Sequence, residues 1–415
     1  MVTSRKGIVG KFSLIKKMNM ALILDIIRKK GPISRSEIAE LTDLTPATIS
    51  NITGELIDYN LVVEGESGDS SGGRKPIMLR IRCDYYRVIG IYIGSKKIKI
   101  IASDLMANSK YKKEIPYERK NISAEEAFDI LYNEIEIIKE KYQKKGKKVV
   151  GIGIGIHGIV NTETGTLIFA PNLGWNNVPI KKNIEEKFDI PVYVDNNTRA
   201  MGLGENWFGT GKNVDNFFCV NIEYGVGGSL FIEDKIFRGF SFGAGEIGHT
   251  TVDINGEMCS CGNRGCLETI ASVKALQKKA FEGYEENKNS SIFTGREINQ
   301  MEDLKAAYIF EAANNGDSYA ISLIRDMGEK IGIGIANIIN IFNPQLVIIN
   351  GEIISTGEIL LEPIRKVVRE RGFKSLVNAT DIVLSKLGNV AYLKGAVVLA
   401  TQHIFDDPES VMNVK

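Results

Sequence analysis

The chain has 415 residues, too many for one ordinary hydrophobic core, so two or three domains are expected. Hydrophobic residues make up 43% and charged residues 25%, which excludes a disordered or fibrous chain. No apolar run is long enough to cross a bilayer and the first residues lack the apolar core of a secretion signal, so a cytoplasmic protein without membrane partners is expected.

The net charge is only +1, but residues 1–82 carry thirteen Lys and Arg against nine Asp and Glu, and the remainder 39 against 42. A basic front on an acidic body hints at a polyanionic partner. Met18, Leu22, Ile26 and Ile27 recur at helical spacing, and Gly31-Pro32 closes that helix. Ser34 opens a short second helix, where Glu37 completes a capping box and Ile38 and Leu41 turn inward. A tight link leads to Thr45, which caps a third helix with Pro46 in its first turn. Ile49, Ile52, Leu56 and Ile57 form its buried stripe and leave Ala47, Thr48, Asn51 and Glu55 facing out. Two short helices joined in this way describe a helix-turn-helix.

Leu61 to Glu64 and Ile77 to Ile81 read as paired strands around a Gly- and Ser-rich loop with Arg74 and Lys75 near its end. This is the wing of a winged helix-turn-helix over residues 1–82. Duplex DNA is the expected partner, met by Ala47, Thr48 and Asn51 in the major groove and by Arg74 and Lys75 at phosphates or in the minor groove. Two bland readings compete. A winged helix can serve protein contacts alone, and these polar side chains can face phosphate or water rather than bases.

Two segments, Val88 to Ser95 and Phe218 to Gly228, each run from an apolar strand into a glycine-bearing turn and another strand. The repetition suggests a duplicated α/β unit. Glu125 to Lys141 reads as an amphipathic helix and Val149 to Ile156 as a buried strand ending at His157-Gly158. Ile331 to Ile341 reads as a helix, Leu346 to Ile349 as a strand, and Tyr392 to Ile404 as a final helix.

Residues 246–268 carry the densest chemistry. Three of the five cysteines, Cys259, Cys261 and Cys266, fall within eight residues, and one of only three histidines, His249, lies ten residues upstream of the first. Three thiolates and an imidazole suit tetrahedral zinc in a closed, structural site. Gly262 and Gly265 let the backbone fold tightly enough for the sulfurs to converge. Reduced thiols in a turn are the alternative. A disulfide is weaker, because no secretion signal is present.

Glu-x-Gly-His followed by Cys-x-Cys-Gly-x-x-Gly-Cys-x-Glu is the hallmark of the ROK family of sugar-binding repressors, open reading frames and sugar kinases, and every fixed position is present here. The resemblance runs from about Val88 to the C-terminus. It implies an actin-like ATPase fold whose two α/β lobes enclose a cleft, with the final helix packed on the first lobe. The expected domains are then residues 1–82, and residues 86–415 as two lobes, about 86–200 plus the C-terminal helix and about 201–390. The Gly-Gly-Arg before Lys-Pro at 72–76 resembles the wing of ROK repressors, a domain that ROK sugar kinases lack. The resemblance implies that Glu246, His249 and Glu268 reach sugar hydroxyls and that His249 also ligates the zinc. The segments 170–175 and 194–199 resemble further sugar-binding loops, which points to Asn172 and Asn196 and puts Asn197 where the kinases carry their catalytic Asp. Turn chemistry for the two asparagines and surface exposure for the two glutamates are the competing roles. His157 is equally suited to a structural hydrogen bond, and Trp175 to a packed wall.

Asn197 cannot act as a base, and the kinase phosphate loop Asp-x-Gly-Gly-Thr is replaced by Tyr92-Ile93-Gly94-Ser95-Lys96. Glu223, Tyr224 and the segment Asn350-Gly351-Glu352 depart from the other nucleotide loops. The resemblance is closest to the family's xylose repressors, although glucose and N-acetylglucosamine responders share most of the pocket. The expectation is therefore a non-enzymatic repressor, dimeric or higher, that reads an inverted-repeat operator and is released by a monosaccharide such as xylose. The rival is a sugar kinase with a fused regulatory domain.

Overall fold

A computed structural model of the chain describes residues 12–67, 76–94, 96–117 and 122–414. The expected DNA contacts Arg74 and Lys75 lie outside these residues, as does Ser95. The chain divides into two compact units, Met1–Asp195 with Ala396–Lys415, and Asn196–Gly395.

The first unit opens with α1 (Phe12–Lys30), β1 (Ile33–Ser34), α2 (Arg35–Thr42), α3 (Pro46–Asp58), β2 (Val62–Ser67) and β3 (Ile77–Ile81). Both expected caps form. The Glu37 amide donates to Ser34 Oγ at 3.2 Å while Glu37 Oε2 accepts from the Ser34 amide at 2.8 Å. Thr45 Oγ1 accepts from the Thr48 amide at 3.2 Å, with Pro46 opening α3. β2 and β3 pair antiparallel and β1 extends them to three strands.

Two details differ from expectation. The buried stripe of α1 is Met20, Ile23, Leu24 and Ile27, whereas Met18 and Leu22 are 63% and 46% exposed. Apolar residues surround most of α1, so periodicity leaves its phase open, and packing on α3 and β3 selects the face. Leu41 is also exposed rather than inward. The short α2 buries only Ile38 and is turned away at Asp43, its left-handed C-cap.

The rest of the first unit comprises β4 (Tyr86–Ile93), β5 (Lys97–Ser103), β6 (Ser109–Pro116), α4 (Ala124–Gln143), β7 (Lys148–Ile156), β8 (Ile159–Asn161), β9 (Thr166–Ala170), β10 (Trp175–Val178), α5 (Ile180–Phe188) and β11 (Val192–Asn196). The second contains α6 (Asn197–Phe208), β12 (Phe217–Ile222), β13 (Val226–Ile232), β14 (Lys235–Phe237), α7 (Leu267–Ala271), α8 (Val273–Glu282), α9 (Ala306–Asn314), α10 (Ser318–Phe342), β15 (Leu346–Asn350), α11 (Glu358–Arg371), α12 (Lys374–Val377) and β16 (Asp381–Leu384). Helices α13 (Val390–Asp406) and α14 (Ser410–Asn413) end the chain.

The duplication is explicit in the strand orders, β11-β7-β4-β5-β6 and β14-β13-β12-β15-β16. In each sheet three antiparallel strands run as a meander, and a fourth lies parallel to the first on its other side. Helix α10 begins well before the expected Ile331, because Asp317 caps it through the Ala320 amide at 2.9 Å. From Ala396 onward α13 belongs to the first unit. There it packs so tightly on β7 that a Cβ at Gly153 would lie 1.7 Å from the Ala396 carbonyl oxygen. Among the described residues no helix is long and apolar enough to cross a membrane.

Candidate functional site

The outward face of α3 carries Ala47, Ser50 and Asn51, all exposed. Thr48 is half-buried, and its hydroxyl lies 2.9 Å from Thr45 Oγ1. Its polar atom therefore helps to close the first turn as well as facing outward. Arg35 fixes α2 against its neighbours, donating to Thr53 Oγ1 at 2.9 Å and to Glu64 at 2.8 Å.

In the second unit the chain between β14 and α7 gathers His249, Cys259, Cys261 and Cys266, whose ligand atoms all lie within 4.8 Å of one another. Cys259 Sγ is 3.6 Å from His249 Nδ1, and Cys261 Sγ is 3.7 Å from Cys266 Sγ. Ligands about 2.3 Å from one tetrahedral ion stand about 3.8 Å apart, so these spacings match a single ion's shell. The loop is built for this convergence. Gly262 and Gly265 both take positive φ, and a Cβ at Gly265 would lie 1.5 Å from the Asp253 carbonyl oxygen. Burial and the neighbouring sulfurs push the Cys266 thiol pKa up, while the Asn263 amide pulls that of Cys261 down. A cation would resolve that conflict by favouring all three thiolates. The donor set fits a metal.

Because Nδ1 faces the sulfurs, the other ring nitrogen of His249 is turned to Glu246, 4.0 Å from its carboxylate. Glu246 keeps 43% of its side chain exposed, and partial desolvation of its carboxyl raises its pKa. His249 and Arg199 oppose that rise, and the like charge of Glu268 adds to it. Glu268 sits in the first turn of α7, two residues after Cys266, and its Oε2 accepts from the Val226 amide at 2.9 Å. The motif therefore holds one carboxylate beside the sulfur-facing imidazole and the other against the Gly225-Val226 turn. Sequence reading did not single out Arg199. It is among the largest fully buried side chains and donates to the Phe242 carbonyl at 2.9 Å.

Asn196 and Asn197 stand where β11 meets α6. Asn196 Oδ1 accepts from the Thr198 and Arg199 amides at 2.8 and 3.3 Å and so caps α6. Asn197 is buried, and its Oδ1 has no hydrogen-bond partner among the described residues. A buried acceptor left unpaired is costly. Asn172 lies in the first unit, 3.0 Å from His157 Nε2. Trp175 is a packed wall, buried with its indole N–H donating to the Ile122 carbonyl at 2.9 Å.

The turn that resembles a phosphate loop is filled from within. A Cβ on Gly94 would lie 2.6 Å from the Tyr92 ring, and the Tyr117 hydroxyl donates to the Gly94 carbonyl. Tyr117 is 23 residues further on, and nothing local in sequence announces that contact. At the other nucleotide segment Asn350 turns inward. Its Oδ1 accepts from the Gly351 amide at 2.7 Å and its Nδ2 donates to the buried Glu205 at 3.3 Å.

Fold and site together define a winged-helix protein on a duplicated, actin-like α/β body. Residues 88–403 match the family described as ROK family, and residues 22–63 match the winged helix-turn-helix DNA-binding family. The chain belongs to the ROK family. It is similar to the xylose repressor of Caldicellulosiruptor bescii, 37% identical over 407 residues, or 97% of this chain and the whole of that relative. A solved ROK family transcriptional regulator, a homologue of the Escherichia coli MLC protein, superposes with a TM-score of 0.83 at 30% identity, covering 96% of this chain and 99% of that one. A ROK family glucokinase from Streptomyces griseus, solved with glucose and AMPPNP, superposes with a TM-score of 0.67 at 30% identity, over 76% of this chain and 99% of its own.

Proposed function

We propose that the protein is a cytoplasmic, zinc-containing transcriptional repressor that binds an inverted-repeat operator as a dimer or higher homo-oligomer and is released by a monosaccharide, xylose in the first instance. One observation carries this reading. A helix-turn-helix shares a chain with the Glu246, His249 and Glu268 cluster, and Asn197, which the family resemblance puts at the position of the kinase base, is an amide that cannot take up a proton. Zinc held by His249, Cys259, Cys261 and Cys266 supplies a rigid, charged anchor that fixes the imidazole ring, and so the direction of its second nitrogen. Glu246, Glu268 and His249 then offer acceptors and a donor to sugar hydroxyls, each of which both gives and accepts. Asn197 Oδ1 accepts a further hydroxyl proton, and the Asn196 amide contributes as well. The xylose preference rests on the similarity to the Caldicellulosiruptor repressor.

On the DNA side, Ala47, Thr48 and Asn51 meet the major groove, with Arg74 and Lys75 on phosphates or in the minor groove. Two copies on a two-fold axis read half-sites about one DNA turn, or a multiple, apart. The similarity to the glucokinase and the retained turn at Gly225 favour a second reading, a kinase with a fused regulator. Tyr92 and Tyr117 on the Gly94 turn weigh against it.

Operator titration with and without xylose, glucose and N-acetylglucosamine tests the proposal. Operator affinity falls with one sugar in the wild type. Glu246→Ala binds operator normally and ignores that sugar. Equal operator affinity with and without every sugar defeats the reading, and tighter binding makes the sugar a co-repressor.

A further inference from the structure

Among the described residues nothing requires the glycine inside helix α3. Gly54 is the ninth of thirteen residues in Pro46–Asp58, an interior position where glycine is less favourable than any residue but proline. Its φ lies outside the left-handed region, and a Cβ built on it meets nothing within 4 Å among the described residues. The contrast with Gly153 and Gly265 is direct, since a Cβ at either would strike backbone. Among the described residues neither turn geometry nor packing accounts for Gly54.

Its place on the helix does. Ser50 and Asn51 are exposed one turn before it, and Asp58 is exposed one turn after it. The adjacent Glu55 is held by Lys16 at 2.7 Å. A recognition helix reads bases from its N-terminal end and meets the groove wall further along. The major groove is about 12 Å wide and a helix with side chains about 10–12 Å across, so the fit at the wall is close. A carboxylate repels phosphate, so Asp58 marks where the helix has left the groove, while the Lys16 ammonium compensates the charge of Glu55.

We propose that Gly54 is the point where the sugar–phosphate backbone of duplex DNA lies against α3, closer than any side chain would permit. This rests on α3 being the recognition helix. The contact sets affinity and docking depth rather than base preference, because phosphates carry no sequence information.

The test uses full-length protein and a duplex selected from random-sequence DNA by the wild type, with a scrambled duplex as control. Gly54→Ala raises Tm by roughly 2–4 °C, because alanine is the better helix former. It also weakens operator binding on the order of tenfold, and Gly54→Gln weakens it further, while the preferred sequence stays the same. Opposite signs for stability and affinity are what a merely structural glycine cannot give. Unchanged affinity in both variants overturns the proposal, as does a parallel fall in Tm and affinity. Asn51→Ala separates the two levels. If Asn51→Ala relaxes sequence preference and the Gly54 variants bind normally, only this proposal fails. If all three bind as the wild type does, the recognition-helix reading fails with it.

Discussion

Cys261 is the exposed member of the metal set, so replacing its sulfur opens no cavity in the core. Any loss in Cys261→Ser is then traceable to the metal. Changing an outer-shell partner costs roughly 10–100-fold in metal affinity, and a direct ligand costs more. Elemental analysis should find one zinc per wild-type chain and much less in Cys261→Ser, with a lower Tm and a blunted sugar response. Cys219 is buried outside the set, and Cys219→Ser should keep its zinc. At the DNA face, Asn51→Ala should relax sequence preference, whereas Arg74→Ala should weaken binding evenly across sequences and lower the salt slope by about one. Binding assays over a salt series with matched and scrambled duplexes check both.

Among the elements, α2 depends on its capping box, because Ser34 answers an orphan amide at the helix start and receives Glu37 in return. Ser34→Ala should cost about 0.5–2 kcal/mol, read as a lower denaturation midpoint with an unchanged slope. Helix α6 carries a different strain. Glu205 is fully buried, and burial raises its pKa even though the Thr210 amide, Ser385 and Asn350 all donate to it. A carboxyl whose folded pKa is raised stabilises fully below its unfolded value, and that contribution is lost as pH rises through the folded value. Glu205→Gln cannot ionise. As pH rises above the ordinary carboxylate range, the wild type should therefore lose stability relative to Glu205→Gln. Paired thermal melts across that rise read the slope, whatever constant offset the amide introduces.

For the whole molecule, a sugar can act on operator binding only through its differential affinity for two states of the protein. Coupling of about 1–3 kcal/mol gives roughly 5- to 150-fold weaker operator binding, and operator must weaken sugar binding by the same factor. Calorimetric titration of xylose into free and operator-bound protein checks that reciprocity. A coupled ATP assay over common hexoses and xylose should show no turnover above background. Asn197→Asp alone should not restore it, because Tyr92 and Tyr117 still occupy the Gly94 turn.

The sequence by itself determined what depends on neighbours along the chain. The caps at Ser34 and Thr45, the strand-to-glycine-turn repeat and the Cys3His spacing are local, and each was legible for that reason. Tertiary structure decided what depends on distant partners. It chose which apolar face of α1 is buried, since Met20 and Met18 are equally hydrophobic and only packing on α3 and β3 tells them apart. It brought Tyr117 onto the Gly94 turn and set Arg199 beneath the loop that leads to Glu246. It aimed His249 Nδ1 at the sulfurs and so turned the other nitrogen toward Glu246, a choice that spacing cannot make because both ring nitrogens are equally able ligands.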